Sequence, residues 1–299
     1  MLNQKIEIIF PHNISLYVKR EDLLHPLISG NKFRKLKYNL EEAKKRNHKA
    51  LVSFGGAYSN HILALAAAGK EYGFDTVGVI RGNELEDEVK NNPTLLQAKE
   101  LGMCFEFVSR EQYRDKMNED FLRRLKEKYK DFYLVPEGGT NRFAIQGCEE
   151  ILTPEDAGFD YVCVAVGTGG TISGISNSSL GNQKILGFSA LKGDFLSNDI
   201  RKFAQRDNWK LISDYVFGGY GKVTDELISF LNRFYAETAI PLDPIYTGKM
   251  MFGIFDLIER GYFEENTKIL AIHTGGLQGV RGINLVQQKK NRQIITYGF

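Results

Sequence analysis

Two lysines, Lys32 and Lys35, stand in the segment Ser29-Gly30-Asn31-Lys32-Phe33-Arg34-Lys35, where a helical pattern begins. A lysine at a helix start meets the positive end of the helix dipole. If it is also buried, its pKa falls, and its free amine can form a Schiff base with a carbonyl. The ordinary alternative is a surface lysine in a basic helix start. A second chemical element is Gly167-Thr168-Gly169-Gly170-Thr171, between an apolar strand pattern and a helical stretch. Successive glycines let backbone N–H groups converge, the helix start adds partial positive charge, and Thr168 and Thr171 add hydroxyl donors. That combination suits a phosphate; the alternative is a plain strand–helix turn. It is a poor dinucleotide fingerprint, because Ile172 stands where a third glycine belongs.

Three further loops combine glycine with polar side chains: Gly55-Gly56-Ala57-Tyr58-Ser59-Asn60-His61, Asp243-Pro244-Ile245-Tyr246-Thr247-Gly248-Lys249 and His273-Thr274-Gly275-Gly276. Ser59 or Asn60 is equally suited to cap a helix, and His61 and His273 have core or capping roles as their default. None of the five histidines is paired at metal-ligand spacing. Neither a G-x-x-x-x-G-K-[ST] loop nor a Gly-x-Ser-x-Gly elbow occurs, which leaves NTPase and hydrolase-triad chemistry unsupported.

The elements that must position these loops alternate. Strand patterns fall at Ala50–Phe54, Thr76–Ile80, Cys104–Val108, Phe132–Val135, Tyr161–Val166, Lys184–Phe188 and Lys268–His273. Helical patterns fall at Phe33–Arg46, Ser59–Tyr72, Pro93–Leu101, Glu111–Lys130, Arg142–Leu152 and Thr224–Glu237. Several strands are continuous apolar runs, as buried parallel strands are. Strand–helix alternation predicts a parallel α/β architecture, whose ligands sit at the carboxyl ends of the strands. Several of these loops could therefore converge on one site.

The 299 residues suffice for one large or two medium domains. A net charge of +2, from 39 basic and 37 acidic residues, gives no sign of nucleic-acid binding. The uncharged stretch Tyr161–Gln183 is interrupted by Gly, Ser, Thr and Asn and is no membrane span. No signal peptide is visible at the N-terminus. Cys104, Cys148 and Cys163 match no zinc or redox spacing and read as reduced thiols of a cytoplasmic protein.

Taken together, the motifs resemble the pyridoxal-phosphate enzymes that include 1-aminocyclopropane-1-carboxylate deaminase and D-cysteine desulfhydrase, within the wider tryptophan-synthase-β-like fold. The matching segments are Tyr17–Leu24, Ser29–Leu36, Gly55–His61, Pro136–Asn141, Val166–Thr171, Gly218–Gly221, Asp243–Lys249 and His273–Gly276. They occur in family order and cover nearly the whole chain. The resemblance implies a two-domain fold type II α/β enzyme, each domain a mostly parallel sheet flanked by helices. The smaller domain would be residues 41–149, inserted into a larger one made of 1–40 and 150–299. It implies pyridoxal 5'-phosphate as cofactor, a small amino-acid substrate, no nucleic-acid or membrane partner, and a homodimer.

By position, Lys32 matches the lysine that carries the cofactor. Asn60 matches the residue beside its phenolic oxygen. Gly167, Thr168, Gly169, Gly170 and Thr171 match the phosphate cup, with Lys35 as a charged contributor. Ser59, Asn60 and His61 match the loop that receives the substrate carboxylate. Tyr220 and Tyr246 match two tyrosines facing the substrate, and Thr247 the residue near the pyridine nitrogen. In the resembling deaminases a glutamate occupies that last position; a threonine supplies no charge. The ring would then be a weaker electron sink, which favours loss of thiolate from D-cysteine over cyclopropane opening. The expected activity is therefore β-elimination, with Lys32 as general base and Tyr220 or Tyr246 serving the leaving group. The alternatives are cyclopropane deamination using Ser59 and Tyr246, and a non-catalytic binding protein. Tyr58 departs from the family's usual glutamine and would reshape the substrate pocket. The chain is also somewhat short for the family.

Overall fold

The computed structural model describes residues 2–191, 193 and 195–298; Met1 and Phe299, the outer limits of the expected larger domain, lie outside them. Among the described residues, ten strands form two sheets. The first holds β1 (Asn3–Lys5), β2 (Ser15–Lys19), β7 (Tyr161–Val166), β8 (Lys184–Ser189), β9 (Trp209–Ile212) and β10 (Lys268–Ile272), in the order β1-β2-β10-β7-β8-β9. Only β1 runs antiparallel to its neighbour. The second holds β3 (Ala50–Gly55), β4 (Asp75–Arg81), β5 (Cys104–Val108) and β6 (Phe132–Leu134), all parallel, in the order β5-β4-β3-β6. This is the mostly parallel, helix-flanked α/β architecture that the sequence predicts.

The continuous apolar strands are buried as that reading requires. In β7 and β10 every residue after the first is buried. The Asn60–Tyr72 helix buries Ala64, Ala66, Ala67 and Ala68, small side chains that bring it close to its sheet. The charged stretch expected as one helix is two, Arg110–Arg114 and Glu119–Tyr129. The break has a local cause: the Asn118 side chain accepts the Asp120 N–H at 2.9 Å and starts a new helix. The short strands β1, β2 and β9 are not among the sequence expectations, and β1 and β9 are edge strands of three and four residues.

The loops after β3, β7 and β10 all leave the carboxyl ends of their strands and border one cavity. In the first sheet, β7 and β10 are adjacent although a long stretch of chain separates them, the kind of crossover at which parallel sheets open a crevice.

Candidate active site

Lys32 is the second residue of the Asn31–Lys45 helix. Gly30, just before that helix, has φ +59°, and a Cβ there would run into the carbonyl oxygen of Thr274. The glycine thus lets the helix start lie directly against the loop after β10. The Lys32 side chain is half-buried and opens onto the cavity. Nζ donates to the Gly138 carbonyl at 3.2 Å. Lys35, 2 % exposed, donates to the same carbonyl at 3.1 Å and to Thr140 Oγ1 at 3.1 Å. Burial, and then the neighbouring Lys35, hold the Lys32 amine well below the ordinary lysine range. Burial lowers Lys35 as well. Between them, Arg34 turns away to a two-pronged pair with the buried Glu21, at 2.8 and 2.9 Å.

The Gly167–Thr171 loop ends β7 and begins the Gly170–Ser178 helix. Thr168 Oγ1 lies 2.6 Å from Thr140 Oγ1, and Asn31 Nδ2 donates to Thr171 Oγ1 at 2.9 Å. A Cβ on Gly170 would stand 2.9 Å from Thr140 Oγ1 and 3.1 Å from Lys35 Nζ. Lys35 is thereby aimed at the start of this helix, a lysine and a helix N-terminus converging as an anion cradle.

On the opposite wall, Ser59 caps the Asn60–Tyr72 helix, accepting from the Ile62 N–H at 3.3 Å, and also lines the cavity. Asn60 Oδ1 accepts from Gln278 Nε2 at 2.6 Å, a partner the sequence did not disclose. His61 lies 2.8 Å from Ser53 Oγ through Nε2, while its buried Nδ1 has no partner among the described residues. Burial, Lys32 and Lys35 push its pKa well down, so the ring is neutral. His273, by contrast, has a structural role. Its Nε2 donates to the Pro241 carbonyl at 2.6 Å and its Nδ1 accepts from the Gly275 N–H at 3.2 Å, fixing the loop after β10.

Tyr246 and Tyr220 stand together at the outer side, ring centroids 6.1 Å apart. The Tyr246 hydroxyl comes within 3.3 Å of where a Cβ on Gly167 would be. Burial raises the Tyr220 pKa, and burial and Tyr220 raise that of Tyr246 well above the phenol range, so both stay protonated.

One expectation is corrected. Thr247 is fully buried and is absent from the cavity wall. Its hydroxyl donates to Asp243 Oδ2 at 2.7 Å and accepts from the Asp243 N–H at 2.9 Å. Asp243 also accepts the backbone N–H groups of Ile245, Tyr246 and Thr247, at 2.8–2.9 Å. The segment is a helix start closed around its own carboxylate. Besides Thr168 and Thr171, the cavity wall carries Thr274, in the loop just after β10. The sequence signal for it was the His273–Gly276 loop, to which no role was assigned. Asn31 and Gly138 on the wall, and Thr140, which holds Lys35 and Thr168, are further residues with no role assigned from sequence; the last two lie in the Pro136–Asn141 segment.

The cavity encloses about 820 Å³. It offers the Lys32 amine, lowered in pKa, and beside it an anion cradle. A ligand joining a carbonyl to a phosphate satisfies both, and pyridoxal phosphate is such a ligand.

The comparisons agree. A bifunctional D-cysteine desulfhydrase/1-aminocyclopropane-1-carboxylate deaminase of Arabidopsis thaliana is 32% identical, over 90% of this chain and 74% of its own length. A D-cysteine desulfhydrase of Yersinia enterocolitica is 29% identical, over 87% and 86%. A solved structure of an ACC deaminase homologue superposes with a TM-score of 0.79 at 30% identity, covering 93% of this chain and 89% of the other. The family described as pyridoxal-phosphate dependent enzyme matches residues 7–275. With the lysine, the cradle and these likenesses in agreement, the chain belongs to the pyridoxal-phosphate dependent enzymes, and pyridoxal phosphate is its cofactor.

Proposed function

We propose that this enzyme is a lyase that removes the Cα proton and expels the β-substituent of a small D-amino acid, D-cysteine first. D-cysteine and water give pyruvate, ammonia and hydrogen sulfide. The observation that carries the reading is the half-buried Lys32 side chain, its amine lowered in pKa and open to a cavity bordered by Ser59, Tyr220 and Tyr246.

Lys32, Lys35 and the Gly167–Thr171 loop would hold the cofactor, with Asn60 and Thr274 on the walls beside it. When bound, the cofactor supplies an electron sink for charge at the substrate Cα. Lys32 Nζ, whose lowered pKa favours the free amine, takes the Cα proton. The Asn60–Tyr72 helix start, with Ser59 and Asn60, receives the substrate carboxylate. Tyr246 and Tyr220, held as phenols, give a proton to the departing sulfur or orient it.

The carboxylates near the cavity support thiolate loss over a harder bond cleavage. Asp243 is occupied by three backbone N–H groups and Thr247, and Glu137 by Tyr113 at 2.7 Å and Lys116 at 3.1 Å. Neither is free to strengthen the electron sink, and thiolate is a leaving group that needs less of one. Ser59 and Tyr246 lining the same cavity, together with relatives named 1-aminocyclopropane-1-carboxylate deaminase, favour a second reading, cyclopropane deamination to 2-ketobutyrate and ammonia. One assay separates them: pyruvate or 2-ketobutyrate release from D-Cys, L-Cys, D-Ser and 1-aminocyclopropane-1-carboxylate. Fastest turnover of D-Cys is expected; efficient turnover of the cyclopropane with none of D-Cys would reverse the order of the two readings. We also propose a homodimer, checked by mass in solution.

A further inference from the structure

Lys249 is a lysine that the reaction does not use, in the Thr247–Glu259 helix one turn beyond Tyr246 and 2 % exposed. A buried ammonium needs acceptors. Its Nζ finds two, the carbonyls of Val216 and Gly219, each at 2.9 Å. Both belong to the loop that carries Tyr220.

That loop is unusual in its backbone. Phe217, Gly218, Gly219 and Gly221 have φ of +48°, +89°, +116° and +68°. Two successive turns, Gly219 N–H to Val216 O at 2.9 Å and Lys222 N–H to Gly219 O at 3.2 Å, bring the two carbonyls to the same side. The left-handed φ values point these carbonyls inward, at the cost of a glycine-rich chain with high freedom when released. The Tyr220 side chain is itself half exposed. Besides Lys249, the Phe217 ring meets Phe252 of the same helix, centroids 4.9 Å apart. The helix that presents Tyr246 therefore also grips the loop that presents Tyr220.

We propose that Lys249 is a positioning residue for Tyr220, its amine gathering the Val216 and Gly219 carbonyls so that the Gly218–Gly221 loop holds the Tyr220 phenol beside Tyr246 over the cavity. The kinetic half of this inference rests on the reading that Tyr220 serves the leaving group; the structural half does not.

The test compares the wild-type holoenzyme with Lys249→Met, which keeps the apolar stem and removes the donors, with Tyr220→Phe, and with the double variant. Hydrogen–deuterium exchange of the peptide spanning 216–222 is expected to quicken about tenfold in Lys249→Met, as two charge-assisted bonds are lost, with β7 and β10 little changed. The double variant is expected to lose no more kcat than the worse single variant, because both act through one phenol. Unchanged exchange at 216–222 would overturn the clamp. Clearly additive losses in kcat would overturn its action through Tyr220. Faster exchange together with an unaffected kcat in Tyr220→Phe would uphold the clamp and count against the leaving-group role. Should Lys249→Met not fold, Lys249→Gln keeps N–H donors and takes its place; failure of both to fold would assign Lys249 to the core and overturn the inference.

Discussion

At the inner end of the cavity the polar side chains are locked to one another, whereas at the outer end they stand open. Lys35 is held by Gly138 and Thr140, Thr168 by Thr140, Thr171 by Asn31, and Asn60 by Gln278. Opposite, Tyr58 and Tyr220 are 41% and 50% exposed, and Arg81, Lys222, Lys290 and Arg292 line the rim with exposed side chains. The difference teaches where specificity resides. A preformed, satisfied inner end suits a ligand that never changes, the cofactor. A rim of long or exposed side chains leaves the substrate end to be completed by what binds there. Variants of the inner end should therefore act on cofactor chemistry and those of the rim on substrate choice.

The strongest break of the inner end is Lys32→Ala. Turnover is expected to fall by about 10²–10⁴-fold, the usual range for a lost acid–base group, with the fold retained. Borohydride reduction and peptide mapping of the wild type should place the pyridoxyl label on Lys32; a label on Lys35 or Lys249 would contradict the assignment. The same lysine predicts a pH effect in protein freed of cofactor. Its folded-state pKa lies below the unfolded value of 10.5. Between those two values the unfolded chain binds more protons, so stability rises with pH across that window and is lost as pH falls through it. Lys32→Met should flatten that rise, and Lys35, lowered for the same reason, should keep the remainder of it. Urea melts from pH 7 to 10 would read the slope.

Next in size is Gly170→Val. The added side chain pushes aside the Thr140 and Lys35 side-chain ends and fills the cradle at the helix start, so the variant should weaken pyridoxal phosphate binding by about 10–100-fold. The melting temperature without cofactor should move much less. An unchanged affinity would reduce the loop to a structural turn.

Thr247→Val tests the corrected residue. Replacing a hydroxyl bonded to Asp243 should cost about 1–2 kcal/mol of stability, measured without cofactor, and leave the spectrum of the bound cofactor as it was. A large spectral change with stability intact would return Thr247 to the cavity.

Thr247 also marks where reading the sequence stops. The alternation of apolar strands and helices was legible because buried parallel strands need continuous apolar runs. So was the pairing of Lys32 with a glycine–threonine loop, because amine and cradle chemistry show in residue type. The direction of a side chain was not. Thr247 and Thr274 both follow loop signals, and only the Asp243 carboxylate, folding back four residues, decides that the first turns inward. Motif roles were equally hidden. The Tyr17–Leu24 segment is recognisable, yet its charges are structural: Lys19 pairs with Asp156 at 2.7 Å and Glu21 with Arg34 at 2.8 Å. Asp156 is 137 residues from its partner, a distance no local pattern reveals.

The smallest effect is expected at the rim, from Tyr58→Gln. The Tyr58 ring lies against the Gly279–Lys289 helix at Gly282, where a Cβ would stand 2.6 Å from ring carbon Cδ1. It thus reaches from the loop after β3 across to a helix that follows β10, and narrows the outer cavity between them. No inner-end hydrogen bond involves it, so cofactor affinity should hold within about twofold, as for surface substitutions within about 0.5 kcal/mol. Glutamine is shorter and polar, and removes the ring from Gly282. A bulkier substrate side chain then has room, while a small one loses an apolar wall. KM for D-cysteine should rise about 3–10-fold, the worth of roughly one or two methylene-sized contacts, with kcat nearly constant. The ratio of kcat/KM between a larger D-amino acid and D-cysteine should move by a similar factor in favour of the larger. If Tyr58→Gln instead lowers cofactor affinity and leaves that ratio fixed, the rim is part of the cofactor site, and the contrast between a locked inner end and an adaptable outer end fails.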